Sequence, residues 1–184
     1  WMYLHFRKIE INKYKFFGYA YSPPSPFLLK DWEKYDVTRN TGIGCISPEH
    51  GIRTIELPDT EKKYSTIKND LETFVANEKS TNTIFLFHAP PYKTNLDRAA
   101  LDGKKIDNIE LDVHVGSKAI RNFIESFQPY LTLHGHIHES SRLTGSWKDK
   151  IGNTQCFTAA HDGKELAIVK FHLEKLDNAY RELI

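Results

Sequence analysis

Two periods run along the chain. In KIEINKYKFFGYAY (Lys8 to Tyr21) apolar and polar positions alternate in roughly two-residue steps on either side of Asn12-Lys13. That predicts two strands joined by a tight turn. Between Thr66 and Glu78 the period changes: Ile67, Leu71, Phe74 and Val75 fall at helical spacing and give one apolar face. TIFLFH (Thr83 to His88) is a short apolar run between turn signals, the pattern of a buried strand. GSKAIRNFIESF (Gly116 to Phe127) returns to helical spacing through Ile120, Phe123, Ile124 and Phe127, and Pro129 follows its end. YLTLH (Tyr130 to His134) is a second buried strand. Strand, helix, strand in that order predicts a right-handed crossover and parallel pairing.

The intervening pieces are weaker. SPPSPF (Ser22 to Phe27) is a rigid loop, because proline fixes φ and pushes its predecessor into extended geometry. FLLKDWEKYD (Phe27 to Asp36) reads as a short helix. Residues 36 to 63 and 89 to 115 read as loops. The tail predicts strands near Ser141–Leu143, Thr154–Thr158 and Leu166–Leu173, then a short helix. The expectation is one α/β domain over residues 1–184.

Composition narrows the function classes. A formal net charge of +1 gives no field to draw in nucleic acid or an anionic membrane. Lys62-Lys63 and Lys104-Lys105 are isolated pairs, the mark of a solvated face. No apolar run approaches the ~20 residues of a membrane span. WMYLHFRKIE lacks the charged and apolar regions of a secretory signal. Cys45 and Cys156 stand far apart and outside any CxxC spacing, against a disulfide scaffold or a cysteine zinc site, so a cytoplasmic setting is the default.

In open α/β sheets functional residues gather at the carboxyl ends of strands. His88 ends one predicted strand. LHGHIHES (Leu133 to Ser140) carries His134, His136 and His138 at and beyond the end of the next. Residues two apart in an extended backbone point to one side, so His136 and His138 are expected to converge, with Gly135 providing the turn. Neutral imidazole ligates zinc, iron and manganese-type ions. A bare HxH is a weak signal, and His134, one residue early on the strand, reads as a core residue or one that supports the ligands from behind.

Taken together, FHAPPYKTNLD (Phe87 to Asp97), HVGSKAIRNFIE (His114 to Glu125) and LHGHIHES resemble the calcineurin-like metallophosphoesterase superfamily. FFGYAYSPPSPFLLKDWEKYD (Phe16 to Asp36) resembles the segment before them in a bacterial branch. The resemblance implies part of a four-layer α/β/β/α sandwich and a dinuclear site of two divalent metal ions (manganese, iron or zinc) that hydrolyses small-molecule phosphate mono- or diesters. It implies His88 and His136 as ligands of one metal and His138 of the other. Asp97, His114, Ser117 and Glu139 are candidates for substrate binding or for orienting the ligands. Asp97 is expected to shape the mouth of the site or to orient a ligand imidazole; His114 and Ser117 precede a helix N-terminus that attracts anions, and Ser117 reads first as a plain cap of that helix. His161 and Asp162 stand where relatives often carry an Asn-Pro-Gly turn.

The family also uses an Asp-x-His, a bridging Asp and an Asn at earlier strand ends, and none precedes His88 here. The expectation is therefore a C-terminal portion with its N-terminal strands missing, an expectation that the Trp1 start also suggests. Such a chain would bind metal weakly alone, turn over poorly and self-associate through an exposed strand edge. No residue of the chain is assigned as catalytic with certainty. The rival reading is a non-catalytic scaffold that keeps the same shape.

Overall fold

A computed structural model of the chain describes residues 2–184, so the Trp1 expectation lies outside the described residues. Its centre is a six-stranded mixed sheet in the order β1-β2-β3-β6-β8-β7. The hairpin at the start is as the two-residue alternation predicts: β1 (Arg7–Ile11) and β2 (Tyr14–Tyr19) pair antiparallel around Asn12, whose φ of 55° is the left-handed value such a turn needs. β2 then runs parallel to β3 (Thr83–Phe87), and β3 parallel to β6 (Leu131–His134). The crossover from β2 to β3 carries α1 (Asp59–Tyr64) and α2 (Ile67–Phe74). A two-strand ribbon, β4 (Lys105–Ile106) and β5 (Ile109–Glu110), interrupts the loop after β3. α3 (Lys118–Phe127) makes the crossover to β6.

Period-two alternation distributes the core over both sheet faces. Phe17, Phe85, Phe87 and Cys156 face α2 and α3, whose Ile67, Leu71, Ile120, Phe123 and Ile124 complete one cluster. Their sequence neighbours Phe16, Ile84 and Phe157 belong to the other cluster, closed by the β9–β10 hairpin through Val169, Phe171, Leu176 and Ala179. The layers are helices, mixed sheet and hairpin.

Three expectations are corrected, and one strand is new. FLLKDWEKYD forms no helix: backbone bridges hold Leu29 to Ile52 and Ser22 to Glu33, and Lys30, fully buried, donates to Glu33 and to the Ser25 carbonyl. Ser141–Leu143 is not a strand but lies in the short helix α4 (Ser140–Thr144). β7 (Lys148–Ile151), unforeseen, pairs antiparallel with β8 (Thr154–Thr158) around Gly152 at φ 59°. Past β9 (Ala167–His172) the chain forms not a helix but β10 (Lys175–Leu183). The register of β10 shifts between Lys175 and Tyr180. That irregularity lets Leu176 and Ala179, three apart, both point inward, which imitates helical spacing.

Candidate functional site

Parallel strands β3 and β6 present their carboxyl ends side by side. His88 is the first residue past β3, and its backbone is fixed on both flanks: its N–H donates to the Tyr19 carbonyl at 3.1 Å, and its carbonyl accepts from Gly135 N–H at 3.0 Å. From that anchor its imidazole meets the imidazole of His136. His136 Nδ1 lies 3.0 Å from His88 Nε2, and the ring centroids are 4.7 Å apart at an interplanar angle of 61°.

The turn that aims His136 is not made by glycine. Gly135 has no positive φ, and a Cβ built on it would meet only the His88 carbonyl oxygen at 3.8 Å. His136 itself sits at φ 72°, and Ile137 N–H donates across it to the Gly135 carbonyl at 2.9 Å. A hydrogen bond spanning one residue of positive φ is a γ-turn of the rare, strained kind. Strain of this sort costs on the order of 1–3 kcal/mol and concentrates at functional sites. The backbone beyond Gly135 is therefore not extended, and the expected same-side relation of His136 and His138 does not arise from strand geometry. His138 is exposed, in the turn before α4.

Burial, followed by the charge of His138, holds His88 below the ordinary imidazole value. His136 is pushed down to about 4 by burial first, then by His88 and His138, with Glu139 pulling the other way. Both rings are thus neutral near pH 7 and keep a nitrogen lone pair for a cation. His138 is within electrostatic reach of both. Even so, among the described residues no group of three or more His, Cys, Asp or Glu side chains is arranged to hold a metal ion.

His134 is a core residue, as its strand position predicts. It is buried, stacks on Phe87 at 5.6 Å, and binds the Ala89 carbonyl through Nδ1 and Thr132 Oγ1 through Nε2. Burial pushes it down to about 4.

The other candidates assemble elsewhere. Asp97, fully buried, does not reach His88, His136 or His138 by hydrogen bond. It takes His114 Nδ1 at 2.8 Å and the backbone N–H groups of Lys93, Thr94 and Gly116 at 2.9, 2.9 and 3.1 Å. Ser117 caps α3, accepting from Ile120 N–H at 3.0 Å. The anion at this helix N-terminus is internal: Asp36 accepts from Ser117 Oγ at 2.5 Å, Lys118 N–H at 2.7 Å and Ala119 N–H at 3.2 Å. Burial raises the Asp36 pKa against the lowering pull of those donors. The sequence offered no signal for this contact across 81 residues. Glu139 turns its Oε1 to Ala100 N–H at 3.2 Å. His161 pairs with Glu165, and Asp162 with Arg142. His5 is half-buried among Phe6, Tyr19, Tyr21 and Trp32. Cys45 and Cys156 are both free.

No family model matches the chain. Over 100 residues it is 42% identical to an uncharacterized protein of Methanocaldococcus jannaschii, a stretch that makes up 52% of this chain and 39% of that relative. A crystal structure 16% identical in sequence superimposes with a TM-score of 0.57, covering 98% of this chain and 53% of that one. At that identity the likeness is one of fold. The chain is thus similar to part of a longer archaeal protein, and it shares its mixed α/β architecture with about half of a longer solved chain.

Proposed function

We propose that the β3–β6 corner is the histidine half of a metal centre in a phosphoester hydrolase. The observation that carries this reading is the His88–His136 pair: two neutral imidazoles, 3.0 Å apart, on adjacent parallel strand ends. The donor chemistry fits one cation, since two nitrogens each about 2.0–2.1 Å from zinc can sit at such a separation. The carboxylate half does not assemble here, because Glu139 is turned to Ala100 and Asp97 to His114. Bridging carboxylates would come from sequence outside this chain, whose 100-residue match spans only 39% of its longer archaeal relative. In this reading the β9–β10 hairpin belongs to the second sheet of a four-layer sandwich, and the setting is cytoplasmic.

When bound, a cation pair supplies charge for phosphoryl oxygens and acidifies a water. The chain's own residues position and desolvate. His88 is clamped between β2 and β6, His136 is aimed by its γ-turn, and His138 is the outer donor. The hydrogen shared by His88 and His136 must move to the outer nitrogen of its own ring when both facing nitrogens ligate, a tautomer change that releases no proton from the neutral rings.

Isothermal titration with manganese or zinc tests this. The expected result is weak binding by the 184-residue chain, abolished in His88→Ala and His136→Ala, with little hydrolysis of a generic phosphodiester. Binding that ignores both substitutions refutes the site. Robust manganese-dependent turnover refutes the claim that carboxylates are lacking. The scaffold reading is favoured by one observation, the absence of a three-donor group among the described residues. It predicts no metal-dependent heat at all.

We also infer self-association across β1, an edge strand with Lys8, Glu10 and Ile11 exposed. Antiparallel pairing of two copies centred on Ile9 places each Lys8 opposite the other copy's Glu10. Light scattering should report a dimer that Glu10→Lys dissociates; an unchanged mass overturns the inference.

A further inference from the structure

A second feature lies beside the strand ends. Between the proline-rich loop after β2, the segment 36–45 and the loop 101–118 there is a cleft of about 560 Å³. That is within the range of small-molecule sites. Its walls are largely apolar: Pro23, Pro24, Val37, Leu101, Ile106 and Leu111. The cleft is joined to the candidate metal corner through the backbone. Pro90, two residues past His88, accepts from Ser117 N–H at 2.9 Å, and Tyr92 N–H donates to the Ser117 carbonyl at 3.0 Å. The strand exit that carries His88 therefore also carries one wall of the cleft.

The polar groups on this wall are not equally available. Asp36 is committed to the α3 N-terminus. Asp112 takes the Tyr92 hydroxyl at 2.6 Å and His114 N–H at 2.9 Å. Glu110 lies opposite Lys105 in the register of the β4–β5 ribbon, its carboxylate at the rim of the cleft. Two groups on this wall are suited to meet an anion. His114 directs Nδ1 to buried Asp97, which leaves Nε2 with no hydrogen-bond partner among the described residues. Lys118 is exposed at the same wall, with its ammonium 4.8 Å from the Tyr92 ring centroid. A carboxylate on one ring nitrogen fixes the imidazole so that the other faces outward. Nε2 accepts from a P–OH or hydroxyl, or, once protonated, donates to a phosphate oxygen. The cleft thus offers an apolar body and one wall with an oriented imidazole and a fixed positive charge.

We propose that this cleft binds a small anion carrying an apolar ring, an aryl phosphate being the simplest case, with the ring against the prolines and aliphatic walls and the anionic end on His114 and Lys118. The proposal deepens the phosphoester reading by naming a substrate class, and rests on that reading only for the ligand's role as substrate. His114 is here a specificity-determining contact.

The test is a fluorescence titration of the full chain with 1-naphthyl phosphate in the presence of a chelator, with inorganic phosphate as the comparison. Wild type should bind the aryl phosphate well above inorganic phosphate. His114→Ala should lose roughly tenfold in affinity, the worth of one hydrogen bond to a charged group. Leu111→Trp, which fills the cleft, should abolish the preference for the aryl ester and leave inorganic phosphate unchanged. Lys118→Gln, at an exposed position, should weaken both anions. Equal binding of the two anions by wild type overturns the proposal, as does an affinity unmoved by His114→Ala or by Leu111→Trp in proteins with wild-type melting. Because no metal is present, failure of the metal reading leaves this result standing, and a positive metal titration does not rescue it.

Discussion

Two corners of the molecule each bring an imidazole close to a partner, and the partners differ in kind. At the β3–β6 corner His88 meets another imidazole, and both rings are neutral with no carboxylate hydrogen-bonded to them. In the loop after β3, His114 meets Asp97, a fully buried carboxylate that also gathers three backbone N–H groups. The first corner has lone pairs in need of a cation. In the second the carboxylate is saturated and the imidazole is oriented by it, with only Nε2 left open. The first corner is a place for a cation, and in the second Asp97 is a support that holds His114 toward the cleft. The largest effect on folding should therefore come from the second corner and the largest effect on metal from the first.

Asp97→Ala breaks the comparison most severely. It leaves four donors without their acceptor in a buried loop, and unpaired buried polar groups cost about 1–3 kcal/mol each before relaxation. We expect a loss of about 3–5 kcal/mol in chemical denaturation. A loss under about 1 kcal/mol would mean that water replaces the carboxylate and that Asp97 is not the support of the loop.

His136→Ala should leave folding nearly unchanged and lower manganese or zinc affinity by at least about 100-fold, since ligands matter more than the residues that orient them, whose loss costs ~10–100-fold. His114→Ala should leave metal affinity where it was. If the two substitutions weakened metal binding equally, the two corners would form one site and the contrast would fail.

These contrasts also show what could be read from the chain. The strand ends were legible, because TIFLFH and YLTLH are continuous apolar runs with a helix-period segment between them, and that order leaves little topological choice. His88, His136 and His138 could be singled out for the same reason. Legibility stopped where period no longer reports structure. The shifted register in β10 gave Leu176 and Ala179 a helix-like interval, and buried Lys30 tied an apparent helix into bridges with distant loops. The Asp36 contact to α3 is set by tertiary geometry across 81 residues, and no local pattern encodes it. The partner of Asp97 was misjudged because the proline-bounded loop carries it to His114 and away from the strand ends.

The smallest effects bear on the turn between the two imidazoles of the first corner. Sequence reasoning gave the turn to Gly135; the structure gives it to His136 at φ 72°. The two assignments predict opposite outcomes. If His136 carries the strain, His136→Gly removes a side chain from a left-handed conformation and should stabilise the metal-free protein by about 1 kcal/mol, even as metal binding is lost. Gly135→Ala should then be neutral, within about 0.5 kcal/mol, since its added carbon meets only the His88 carbonyl oxygen at 3.8 Å. If instead the glycine is required, Gly135→Ala destabilises and His136→Gly gains nothing. Paired thermal melts of the two variants separate the cases. The first outcome would mean that the fold tolerates a strained histidine at the one place where its imidazole can face His88, which is hard to account for unless the pairing of those rings is itself what the corner is for.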